Sequence, residues 1–164
     1  MATTSRARRS NRSRDVPAAT EDHLRFAPSS LLSQTAEYAL RVAVYLAAKA
    51  PEKLWRASEL ARVLHVPANY LSKILHQLTR TDVLESKRGR DGGFRLARPA
   101  KEITLAEVVG PFDRTSRRPG CLLGVGACNA KKPCALHHQW KPLSDSVTAF
   151  FEKTHLDTLA SSTR

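Results

Sequence analysis

Long apolar runs, acidic residues and cysteines are all scarce in this chain of 164 residues. The longest apolar stretches, such as Val42 to Ala48, fall far short of the ~20 residues a membrane span requires, so no membrane passage is expected. No secretory signal is apparent, and the three cysteines, an odd number, argue against a disulfide framework. Both absences point to a reducing cytoplasm, where clustered cysteines are more often metal ligands or redox groups. Asp and Glu number 15 against 27 Lys and Arg, a formal net charge of +12 with a pI near 10.3. So basic a chain implies a polyanionic partner, and nucleic acid is favoured over an anionic membrane. No internal repeat is visible, and the length allows one modest core plus tails.

Residues 1–30 carry Arg6, Arg8, Arg9, Arg12 and Arg14 ahead of Pro17 and Pro28, with almost no apolar periodicity. That composition predicts a disordered basic tail. It suits a non-specific phosphate-binding arm, a merely solvated extension or, being Arg- and Ser-rich and acid-poor, an organellar transit peptide.

Apolar periodicity begins after residue 30. Ser33 can cap a helix running to about Lys49, with Ala36, Ala39, Leu40, Ala43, Leu46 and Ala47 on one face, and Pro51 ends it. A second helix is expected over about Ser58 to His65, with Leu60, Ala61 and Leu64 inward. After His65-Val66-Pro67 a third is expected from about Ala68 to Arg80, with Leu71, Ile74, Leu75 and Leu78 inward and Pro67 suited to its first position. Two short amphipathic helices so closely spaced are the helix-turn-helix signature. Val83 to Lys87 and Phe94 to Ala97 then read as strands around Arg88-Gly89-Arg90-Asp91-Gly92-Gly93, a β-hairpin wing. Thr104 and Glu107 stand in capping-box spacing at the start of a short helix that Gly110-Pro111 stops. Finally Leu136, Trp140, Leu143, Val147, Phe150 and Phe151 recur at helical spacing. The apolar face they make is wider than so small a domain can cover, which calls for a second copy. Pro142 must sit in the first turn of that helix or kink it.

In a helix-turn-helix the second helix enters the major groove. Its outward face here offers Asn69, Tyr70, Ser72, Lys73, His76 and Gln77. Asn and Gln can pair with adenine, Lys reaches guanine acceptors or phosphate, and the hydroxyls suit base or backbone. Arg88 and Arg90 at the glycine turn can reach a minor groove or flanking phosphates, while Lys87, Arg95 and Arg98 serve phosphates or nothing. The same set also describes the wet side of any amphipathic helix beside a basic hairpin.

Every cysteine lies in Cys121-Leu-Leu-Gly-Val-Gly-Ala-Cys128-Asn-Ala-Lys-Lys-Pro-Cys134, with six and then five residues between them. A polar loop holding Lys131 and Lys132 is a poor place to bury three thiols, so they point to an iron–sulfur cluster or zinc. A cysteine nucleophile with His137 lacks any visible orienting residue or oxyanion loop, so an enzyme is not expected.

The chain from about residue 31 to 160 resembles the Rrf-type winged-helix regulators, which include IscR, NsrR and RirA. The likeness is carried by Ala36-Glu37-Tyr38-Ala39-Leu40-Arg41, Asn69-Tyr70-Leu71-Ser72-Lys73-Ile74-Leu75, Arg88-Gly89 with Gly92-Gly93-Phe94-Arg95-Leu96-Ala97-Arg98-Pro99, Ile103-Thr104-Leu105 and the three cysteines. It implies a mainly α, winged helix-turn-helix DNA-binding domain with a long C-terminal dimerisation helix, in a homodimeric transcription factor, usually a repressor. It also implies a 2Fe-2S or 4Fe-4S cluster held by Cys121, Cys128 and Cys134, sensing iron, redox state or nitric oxide. The gap of six residues is one longer than the commonest pattern of the family. Two positions compete for the fourth ligand: His137 matches the histidine of IscR-like members, with His138 a weaker stand-in, and Glu37 matches the carboxylate that NsrR-like members contribute from the opposite subunit. The expected organisation is a tail over 1–30, the DNA-binding domain over 31–112, the cysteine loop over 113–135 and the dimerisation helix over 136–160. Two rival readings remain: a constitutive double-stranded-DNA binder with a structural zinc, and a cluster-less thiol redox sensor.

Overall fold

The structure, a computed structural model, describes residues 31–49, 52–114, 121–123 and 128–161, so the basic segment 1–30 lies outside the described residues. Helix α1 (Gln34–Ala48) starts where Ser33, in extended backbone, accepts from the Ala36 N–H at 3.3 Å, satisfying one of the helix's unpaired donors. It buries Ala36, Ala39, Val42, Ala43 and Leu46. The expected Leu40 and Ala47 are only half-buried, because the inward stripe is rotated so that it runs through Val42.

Helix α2 (Ala57–Leu64) ends at His65, which takes up the left-handed conformation (φ 53, ψ 41). That residue reverses the chain so that Val66, almost fully buried, donates its N–H to the Ala61 carbonyl at 3.0 Å. Helix α3 (Ala68–Arg80) follows at once, with Pro67 as its cap one position ahead of the expected place. Leu71, Ile74, Leu75 and Leu78 are 0–1% exposed; truncating one of them to Ala costs about 2–5 kcal/mol. The pair is a helix-turn-helix resting on α1.

A second left-handed residue, Asp82 (φ 54), turns the chain into strand β1 (Leu84–Lys87), which pairs antiparallel with β2 (Gly93–Leu96) in the register Leu84↔Leu96, Glu85↔Arg95, Ser86↔Phe94, Lys87↔Gly93. The hairpin is a residue shorter at each outer end than its alternation suggests. Trp55 lies along its open edge, donating to the Phe94 carbonyl at 2.9 Å and accepting from the Phe94 N–H at 2.8 Å. Gly93 permits this approach, since a Cβ there would sit 2.7 Å from the Trp55 oxygen.

A 3-10 turn (Ala100–Glu102) leads into helix α4 (Leu105–Val109), capped by Thr104 and Glu107 as the spacing predicts. The C-terminal part is two helices, α5 (His137–Lys153) and α6 (Leu156–Ser161), rather than one helix over 136–160. Thr154 leaves helical geometry (φ −91, ψ 127). The chain there pairs with the start of α4: Leu105 N–H donates to the Thr154 carbonyl at 2.9 Å and Leu156 N–H to that of Ile103 at 3.0 Å. These bonds offset the broken helix, and α6 folds back on α1 with Leu156 fully buried. Pro142 lies inside α5, beyond its first turn. Helix α5 turns His137, Ser144, Thr148 and Phe151 toward its own chain, while Leu143 and Phe150 are more than half exposed. Among the described residues no helix is long and apolar enough to cross a membrane.

Candidate nucleic-acid interface and cysteine loop

The outward side of α3 is only partly what the sequence suggests. Asn69, Lys73 and His76 are exposed, and Gln77 and Ser72 half-buried; the spacing of 69, 73, 76 and 77 puts those four on one face. The Ser72 hydroxyl donates to the Ala68 carbonyl at 2.9 Å, and Asn69 Oδ1 accepts from the Tyr70 N–H at 2.9 Å, which braces the helix start. Tyr70 is turned the other way. Its hydroxyl hydrogen-bonds Thr35 Oγ1, its ring meets that of Tyr38 edge-on at 5.9 Å, and it is half-buried, so it joins α3 to α1 instead of facing outward. His76 stands edge-on to Phe94 of β2, centroids 6.2 Å apart, which seats the wing against the helix.

In the wing turn Arg88 and Arg90 are exposed. Gly89 is in the left-handed region (φ 106), and Gly92 donates to its carbonyl at 3.1 Å. Lys87 is exposed too, but the other two wing cations are committed elsewhere. Arg95 pairs with Glu85 and, at 3.5 Å, with Glu52; the Glu85 hydrogen bond and charge push its pKa further above the ordinary arginine value. Arg98 donates to Glu107 Oε1 at 2.7 Å and to the Glu102 carbonyl at 3.1 Å. Burial disfavours ionised Glu107, but hydrogen bonds from the Thr104 N–H, Arg98 and the Thr104 hydroxyl outweigh it and hold the carboxyl below its usual pKa.

The cysteine loop leaves the domain at Asp113, whose Oδ2 accepts from the Ser33 N–H at 2.7 Å, at the cap of α1. Residues 115–120 and 124–127 lie outside the described residues. Cys121, Cys128 and Cys134 are half-buried thiols outside any disulfide. At the far end His137 N–H donates to the Cys134 carbonyl at 3.0 Å, locking the last cysteine to the first turn of α5. His137 is buried, its ring 5.6 Å from that of His138. Glu37 is buried in the first turn of α1, with Arg41 3.9 Å away. In kind, three thiols with an imidazole or carboxylate as fourth ligand suit an iron–sulfur cluster. In place, the described residues hold no group of three or more His, Cys, Asp or Glu side chains gathered for a metal. The loop would therefore have to close around one.

Two participants escaped the sequence. Trp55 forms a single bridge too short for any periodicity, and Arg56, beside it, is a lone cation ahead of a helix.

A family model described as "Rrf2: Iron-dependent Transcriptional regulator" matches residues 32–162. Protein aau3 of Rhizobium meliloti is 40% identical over 122 residues, covering 74% of this chain and 77% of that protein. The HTH-type transcriptional regulator NsrR of Oceanobacillus iheyensis is 30% identical over 122 residues, 74% of this chain and 81% of NsrR. Among solved structures, CymR, the global cysteine regulator of B. subtilis, superposes with a TM-score of 0.70 at 22% identity, over 81% of this chain and 98% of CymR, a likeness of fold.

Proposed function

Because the chain belongs to the Rrf2 family of transcriptional regulators, which are not enzymes, we propose that it is a homodimeric, cytoplasmic DNA-binding repressor whose cysteine loop holds an iron–sulfur cluster and passes its state to the recognition helix. The observation that carries this reading is how the loop is anchored. Its start is bound to the cap of α1 through Asp113 and Ser33, and its end to α5 through Cys134 and His137. Two residues after Ser33, Thr35 holds Tyr70 of α3. A displaced loop would thus pull on the helix that braces the recognition helix.

Cys121, Cys128 and Cys134 would hold the cluster as thiolates, with His137 or Glu37 the fourth ligand. A bound cluster would supply a group that oxygen, nitric oxide or loss of iron can alter or remove. The chain's own part is mechanical: Ser33 and Thr35 relay the position of the loop to Tyr70. Across a dimer, recognition helices must stand roughly 34 Å apart, one DNA turn, so a small shift in each changes affinity. The cations and amides take separate roles, with Lys73, Arg88 and Arg90 on phosphates or groove edges and Asn69, Gln77 and Ser72 toward bases.

Duplexes selected from a random library test the DNA-binding half. Asn69→Ala or Gln77→Ala should relax sequence preference by about 1–3 kcal/mol at single positions. Lys73→Ala should weaken all duplexes alike and lower the salt slope by about 0.9. A protein that selects no sequence would overturn the reading.

A further inference from the structure

We propose that Arg56 is the positioning residue of the wing: its guanidinium holds the turn that carries Arg88 and Arg90 against the helix-turn-helix, and so sets where those two cations meet DNA. The inference rests on the DNA-binding reading above. Arg56 stands at the cap of α2. Its Nη2 donates to the Arg90 carbonyl at 2.7 Å, across 34 residues of chain. Its backbone N–H donates to Glu59 Oε2 at 2.9 Å, so the side chain springs from a fixed point. The preceding residue, Trp55, is fixed as well, by two backbone hydrogen bonds to Phe94 and by the Lys53 ammonium 3.7 Å above its ring. Residues 55 and 56 therefore grip the wing at its strand and at its tip.

Charge makes this contact informative. Arg56 approaches a turn that already carries Lys87, Arg88 and Arg90, all exposed, and like charges repel. It does so through a carbonyl oxygen, which accepts a charge-assisted hydrogen bond without adding a cation to the cluster. A phosphate backbone passing the wing relieves the remaining repulsion, so the tether is strongest in the DNA complex. It leaves the Arg88 and Arg90 side chains outward, and Arg56 itself reads no base.

The test compares wild type and Arg56→Ala on duplexes the wild type selects from a random library, by affinity, salt slope and footprint. The alanine keeps the backbone bond to Glu59, and a single cooperative thermal transition checks that it folds; Arg56→Gln, too short to reach Arg90, replaces it if it does not. Affinity should fall severalfold, by less than the full worth of one charge-assisted hydrogen bond, because the free protein makes that bond too. Hydroxyl-radical protection should fade at the flanks, where the wing lies, while methylation protection of guanine N7 beneath α3 persists. In an Arg88→Ala/Arg90→Ala protein the same change should alter affinity by less than about twofold, with the salt slope unmoved. A loss that persists in that background with the slope lowered by about 0.9 makes Arg56 a phosphate contact and overturns the tether, as does an unchanged footprint. A wild type that selects no duplex at all brings down the DNA-binding reading instead.

Discussion

At Gly92 a Cβ would stand 2.2 Å from the Lys87 carbonyl oxygen, whereas at Gly89 it would meet nothing within 4 Å, although the backbone there is left-handed (φ 106). Gly89→Ala therefore carries only conformational strain, about 1–2 kcal/mol, while Gly92→Ala must reopen the turn. Thermal unfolding and DNA affinity should both suffer more at Gly92; equal effects would contradict this geometry. The glycines were legible as a turn, but which of them is crowded depends on the register of the hairpin. Glu107 gives a second case. Its pKa is lowered in the folded protein, so the unfolded chain binds its proton more readily. The resulting stability is fully present above the ordinary carboxylate value and is lost as pH falls through the lowered one. Glu107→Gln should flatten the acid limb of the stability curve, and an unchanged limb would exclude the contribution. The capping box was visible as a four-residue pattern; Arg98 as its partner was not, because nothing local links them. Tyr70 was misplaced for the related reason that its neighbours, Thr35 and Tyr38, are distant in sequence.

Helices α1, α2 and α3 were legible to within a residue or two because each buries one stripe and Ser33, Pro51 and Pro67 mark boundaries between them. The C-terminal region was not. Its apolar spacing ends at Phe151 and no Gly or Pro follows before residue 160; the interruption at Thr154 comes from pairing with the start of α4, a tertiary effect that overrides helix propensity. Helix α3 meets α1 through the Tyr70 hydroxyl, which makes a specific prediction. Tyr70→Phe keeps the ring contact with Tyr38 and removes only the hydrogen bond. Stability should fall by about 1 kcal/mol, and DNA affinity should become less sensitive to the state of the cysteine loop. Full retention of that sensitivity would show that the signal takes another route.

For the whole molecule, the apolar side of α5 was read as needing a second copy, and Leu143 and Phe150 do stand more than half exposed in the single chain. Leu143→Glu with Phe150→Glu should yield a monomer in sedimentation, with operator affinity reduced because two half-sites no longer bind as one. An unchanged mass would place the interface elsewhere. The net charge of +12 announced a polyanion, yet Arg95 and Arg98 are held by carboxylates, so charge alone overstates the DNA-facing set. The cysteines were legible as a group; what they bind depends on how their loop closes. The most direct measurement is the visible spectrum of protein purified without oxygen, taken with iron, sulfide and zinc content, and operator affinity before and after Cys128→Ala. The account predicts thiolate-to-iron absorbance near about 400 nm with iron and sulfide, both lost in the variant together with a change in affinity. A colourless wild type, or a variant that loses the cluster and binds its operator unchanged, would contradict it.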